Sequence, residues 1–229
     1  MTDRIVDVDG VNLGYRDTET SGLPVLLLIH GLGASSVTWQ RVVARYRDRL
    51  RIVALDLRGH GRSTWTSSYE LPDMVTDVAG FLQVLGIPRA TVLGHSMGGL
   101  VALLFAARCP GQVERLILEE APPPLPASPP RDEGARPEGE LEYDWNIQAP
   151  FSRQRNRPDP LWWDQLAGIG CPVTVIRGTE SHIVAGSVRR MVEILADGNL
   201  IELSGGHDLH TDCPDAFEAV LDEILVARH

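Results

Sequence analysis

The stretch Ala90-Thr91-Val92-Leu93-Gly94-His95-Ser96-Met97-Gly98-Gly99 decides the reading of this 229-residue chain. Residues 90–93 form a short apolar run of the kind found in strands covered on both faces. Residues 97–108 carry a helical pattern. A Gly-x-Ser-x-Gly sequence between a strand and a helix makes a very tight turn. Side chains at positions 94 and 98 would collide with neighbouring backbone, and Ser96 is held strained with its hydroxyl projecting from the sheet. The following helix aims its N-terminal dipole and free N–H groups at any negative charge developing beside that hydroxyl. The five-residue pattern alone is weak evidence. Flanked by the right elements, it marks an exposed nucleophilic serine.

Working outward, strand and helix signals alternate. Residues 5–8 and 11–15 flank Asp9-Gly10 and predict a β-hairpin. Val25-Leu26-Leu27-Leu28-Ile29 is a continuous apolar run, and residues 52–55, 116–118, 173–176 and 200–203 are further strand-like runs. Helices are expected over 72–85, 97–108, 186–196 and 214–227. This alternation predicts a mostly parallel sheet with helices on both faces and a ligand site at the carboxyl ends of the strands. Residues 121–160 break the rhythm with Pro122-Pro123-Pro124, Pro126 and Pro129-Pro130. They are expected to form a short proline-rich lid between core segments 1–120 and 161–229. Trp145, Phe151, Trp162 and Trp163 favour packing of its second half on the body.

The other chemistry-bearing residues also follow strands. His30-Gly31-Leu32-Gly33 lets backbone approach the site, so the Leu32 and Met97 N–H groups are the expected oxyanion donors. His30 itself is expected to bond to backbone. Asp56-Leu57-Arg58-Gly59-His60-Gly61-Arg62-Ser63 suits a rigid turn with internal salt bridges. Gly205-Gly206-His207 follows the last strand-like run. A serine hydroxyl needs a base within hydrogen-bond reach, and His207 is the best placed, with His182 and His210 as rivals.

The order His-Gly-x-Gly, Asp-x-Arg-Gly-His-Gly-x-Ser, Gly-His-Ser-Met-Gly-Gly and a late Gly-His resembles the α/β-hydrolase superfamily over nearly the whole chain, the lid excepted. The resemblance implies that fold and a Ser–His–acid triad. Serine at position 96 sets aside the members that use an aspartate nucleophile. Most relatives carry the acid in a Gly-x-x-Asp turn after the strand at 173–177, but here that turn reads Gly178-Thr179-Glu180-Ser181. Some relatives place it after the preceding strand, where this chain has Glu119-Glu120. Neighbouring side chains at a strand end point to opposite sides, so only one can face the site. Glu120 is the expected acid, with Glu119 and Glu180 as alternatives.

Composition sets the limits. The formal net charge is −10, with 31 acidic residues against 21 basic ones, and the sequence contains no lysine. A Schiff-base mechanism and a lysine base are therefore excluded. The charge argues against nucleic acid or an anionic membrane as partner. No apolar run is long enough to span a bilayer. Cys109, Cys171 and Cys213 are widely spaced without a ligand pattern, so neither metal nor disulfide is expected, and the expected location is the cytoplasm. These readings predict a serine hydrolase without cofactor, cleaving an ester, thioester or lactone of an uncharged, partly apolar small molecule. C–C bond cleavage, lyase or acyl-transfer chemistry is the alternative on the same fold, and a non-catalytic binding module the remote one.

Overall fold

Each apolar run singled out in the sequence is a strand in the computed structural model, which describes residues 1–127 and 129–226. The strands are β1 (Thr2–Val8), β2 (Val11–Asp17), β3 (Val25–Ile29), β4 (Arg51–Leu55), β5 (Ala90–His95), β6 (Val113–Glu119), β7 (Val173–Gly178) and β8 (Gly198–Leu203). They form one sheet in the order β1-β2-β4-β3-β5-β6-β7-β8. β1 pairs antiparallel with β2, and β2 with β4, while all later pairings are parallel.

The helices are α1 (Gln40–Tyr46), α2 (Leu71–Val84), α3 (Ser96–Arg108) and α4 (Gln148–Asn156), followed by α5 (Pro160–Asp164), α6 (Ala185–Ile194), α7 (Leu209–Asp212) and α8 (Pro214–Val226). Residue 227, the last of the helix expected over 214–227, lies outside the described residues, as do 228 and 229 of the expected core and 128 of the expected lid.

The two-residue side-chain period of the strands divides the interior into two cores. Leu27, Ile29, Val53 and Leu55 face one side, where α2, α3 and α6 pack. Leu26, Leu28, Ile52 and Ala54 face the other, covered by α1 and α8 through Trp39, Tyr46, Phe217 and Leu221. An unbroken apolar strand is required for this, because both faces are dry.

Residues 121–160 are not uniformly irregular. Their second half contains α4, whose Gln154 Oε1 accepts the Leu71 N–H and so caps α2 from outside. Residues 142–144 are tied to the 57–63 turn: the Gly61 N–H donates to Glu142 O and the Asp144 N–H to Gly59 O. Phe151 is buried, while Trp162 and Trp163 pack partly buried against the core.

The 57–63 turn corrects one expectation. Its arginines bond outward, Arg58 to Asp77 on α2 (2.6 Å) and Arg62 to Asp3 (3.1 Å). Asp56 accepts backbone N–H groups of Ser36 and Arg62 and no arginine side chain among the described residues. The rigidity comes from amides converging on one buried carboxylate, with no internal salt bridge.

Candidate active site

β5 runs directly into α3 at Ser96, which adopts φ +51°, the left-handed region that costs a residue with a Cβ. The turn is tight enough that a Cβ at Gly94 would fall 2.6 Å from Gly98 O, and one at Gly98 would fall 2.2 Å from His30 O. Only glycine fits at either place. The strain lifts Ser96 Oγ toward the carboxyl edge of the sheet, where β3, β6 and β8 also end.

His207, in the loop after β8, meets it there. Its Nε2 lies 2.8 Å from Ser96 Oγ, and its Nδ1 lies 3.0 Å from Glu120 Oε2. A carboxylate only accepts, so Nδ1 carries the proton and Nε2 presents a lone pair to the serine hydroxyl. Glu120 follows β6 and is itself left-handed, φ +49°. Its carboxylate is buried and accepts the Gly178 N–H at 2.6 Å and the Ser181 hydroxyl. Ser181, at the position where the resemblance led us to look for an aspartate, instead donates its hydroxyl to the carboxylate that follows the neighbouring strand. Glu180 is exposed and makes no side-chain bond to His207.

The loop after β3 is built around two neutral histidines. His30 Nε2 accepts the Leu57 N–H and its Nδ1–H donates to Gly31 O. His60 Nε2 accepts the Gly33 N–H, and its Nδ1–H donates to Arg58 O. Burial lowers His30 to about 4 and His60 to about 3, so both stay uncharged. Between these anchors the Leu32 N–H has no acceptor among the described residues. Met97 lies in the first turn of α3, where N–H groups have no partner within the helix.

The rival histidines have other partners. The His182 ring lies tilted by 50° against that of His207, with centroids 4.5 Å apart. His210 sits beneath the site, buried with Glu119: its backbone N–H and its Nδ1 both lie 2.8 Å from Glu119 Oε1, and its Nε2 lies 2.8 Å from Thr38 Oγ1. Burial alone would lower His210, but the Glu119 carboxylate outweighs it and the net shift is upward. His95 is lowered by burial, and its Nε2–H donates to His207 O at 2.8 Å. His95, Glu119 and His210 bring ligand-capable atoms within 4.8 Å of one another. Those atoms are already engaged in hydrogen bonds, except His95 Nδ1, which faces Gly31, where an added Cβ would lie 2.7 Å away. The sequence reading gave neither this second Glu–His pair nor its role beneath the first. The signal was the doublet Glu119-Glu120 facing histidines three residues apart.

With strand order, turn and histidine in place, the decisive comparison is with a family described as alpha/beta hydrolase fold, which matches residues 24–143, just over half of the chain. The chain belongs to that family. An uncharacterised protein of Mycobacterium tuberculosis is 43% identical over 99 residues, 43% of this chain and 29% of that protein. A bifunctional esterase/perhydrolase of Acinetobacter calcoaceticus is 36% identical over 121 residues, 51% of this chain and 44% of that protein. The chain spans less than half the length of either relative. Among solved structures, the enol-lactonase of Burkholderia xenovorans shares the fold at a TM-score of 0.87 and 24% identity, covering 97% of this chain and 100% of that one. The α/β-hydrolase assignment accounts for the sheet order and for a site at its carboxyl edge.

Proposed function

We propose that this α/β-hydrolase is a cofactor-independent serine hydrolase that cleaves a small-molecule ester, thioester or lactone through an acyl-enzyme. One observation carries the reading: the hydrogen-bonded chain from Ser96 Oγ through His207 to the buried Glu120 carboxylate. His207 Nε2 takes the hydroxyl proton as Ser96 Oγ attacks the carbonyl carbon. The Leu32 and Met97 N–H groups receive the negative oxygen, and Glu120 stabilises the imidazolium. The proton then passes from Nε2 to the departing alcohol, thiol or ring oxygen. A water activated by the same nitrogen hydrolyses the acyl-enzyme. The esterase/perhydrolase relative and the lactonase neighbour belong to this chemistry and support the choice of bond. Residues 121–160 serve as the lid, with apolar walls suited to a partly apolar chain. The location that fits this reading is the cytoplasm, where the free thiols of Cys109, Cys171 and Cys213 would stay reduced.

The test is covalent labelling. A fluorophosphonate should modify Ser96 stoichiometrically, and Ser96→Ala should stay folded while losing nearly all turnover of p-nitrophenyl esters. A label on another serine, or substantial activity in Ser96→Ala, refutes the proposal.

A further inference from the structure

The lid segment, the 182–184 loop and Ser187 in the first turn of α6 line an open cavity of about 370 Å³. Its walls include the apolar side chains of Leu125, Ile183 and Val184, and Arg131 and Arg155 also line it. Several buried or lid arginines of this acidic chain pair with carboxylates: Arg51 with Asp17, Arg58 with Asp77, Arg177 with Glu202, and the lid's own Arg153 with Glu70. Arg131 and Arg155 have no carboxylate partner among the described residues. Arg155 Nη1 donates to Pro123 O, and Arg131 Nε is buried without a partner, its guanidinium 5.2 Å over the Phe151 ring. Burial lowers both, and the Arg131 charge adds to the lowering of Arg155, which reaches about 10. Both remain cationic at neutral pH. Two like charges withdrawn from water with no acid between them are costly, and a bound anion removes that cost.

The cavity adjoins the reacting groups. His182 lies on its wall with its ring tilted against that of His207, and the two arginine charges reach His182. We propose that Arg131 and Arg155 form a carboxylate-binding subsite, so that the substrate is an ester, thioester or lactone bearing a carboxylate on an otherwise apolar chain. The planar fork of a guanidinium matches the two oxygens of a carboxylate, and two forks hold it against the apolar walls. The inference rests on the serine-hydrolase reading and replaces the uncharged substrate expected from net charge. Net charge acts at long range, whereas recognition is decided by the unpaired charges inside the pocket.

Two ester pairs test it: the mono-p-nitrophenyl ester of glutaric acid against p-nitrophenyl pentanoate, and 4-acetoxybenzoate against phenyl acetate. The wild type should prefer the carboxylate-bearing member of at least one pair. Arg131→Met and Arg155→Met should each lower that preference about 10- to 100-fold, mainly through KM. Arg155→Lys, which keeps the charge but not the fork, should lie between. Arg153→Met, outside the cavity, should leave the preference unchanged. Circular dichroism confirms that each variant folds. Calorimetric titration of Ser96→Ala with glutarate reads the pocket independently of turnover. Saturable binding lost in Arg131→Met and Arg155→Met supports the subsite even if no ester is hydrolysed, in which case the serine-hydrolase reading alone fails. Preference for the uncharged member of both pairs, a preference untouched by the arginine substitutions, or tighter binding of inorganic phosphate than of glutarate overturns the proposal.

Discussion

Glu120 is left-handed, fully buried and held by an amide, a hydroxyl and an imidazole. Its neighbour Glu119, equally buried, faces His210. The two carboxylates differ in what their loss should do. Glu120→Gln should lower kcat about 10²- to 10⁴-fold with little change in fold, because His207 loses the group that fixes its tautomer. Glu180→Gln should leave kcat near wild type. Side-by-side kinetics check both outcomes, and a collapse in Glu180→Gln alone would return the acid to its usual turn. At this scale the sequence was informative where chemistry restricts residue type. Ser96 was singled out by its flanking glycines, His207 by its glycine loop and Glu120 by resemblance to relatives with an acid after the preceding strand, and the structure brings these three side chains into one hydrogen-bonded row. Arg131 and Arg155 could not be read, since an unpaired arginine differs from a paired one only in what folds beside it.

Among the elements, strands were legible because burial on both faces leaves uninterrupted apolar runs. α4 was not legible. Its inward side carries Gln148, Ser152 and Gln154 beside Phe151, so no apolar period marks it, and Gln154 bonds both to the Leu71 N–H of α2 and to Pro150 O one turn back. α7 and α8 are fastened differently. His210 and Glu119 tie the start of α7 to the end of β6, and Phe217 of α8 fills the core against the sheet. Phe217→Ala should cost about 3–5 kcal/mol in urea denaturation. His210 is raised above its ordinary value of 6.5, so its pairing stabilises in full below that pH and fades as pH rises through the higher folded value. The stability gap between wild type and His210→Gln should therefore narrow on going from mildly acidic to alkaline buffer. A constant gap would mean that His210 stays neutral.

For the whole molecule, His30 and His60 have the opposite sign. The unfolded chain protonates both near 6.5, while the folded chain keeps them neutral down to about 4 and 3. Stability should then fall as pH drops from 6.5 toward 4, by up to about 1.4 kcal/mol per pH unit for each histidine, while the His210 contribution, complete below 6.5, stays level. In His60→Gln the slope should flatten by about one histidine's share, measured by denaturant titration across that range; an unchanged slope would show that His60 takes up its proton while folded. The doublet at the end of β6 bears on how the chain finds its final arrangement. His207 and His210 must arrive together, each opposite its own glutamate, and a slip of one residue would strand two carboxylates in the interior. The pair thus forms a keyed joint that fits the closing segment in a single alignment, and the Ser96–His207 contact is present only when that segment is so seated.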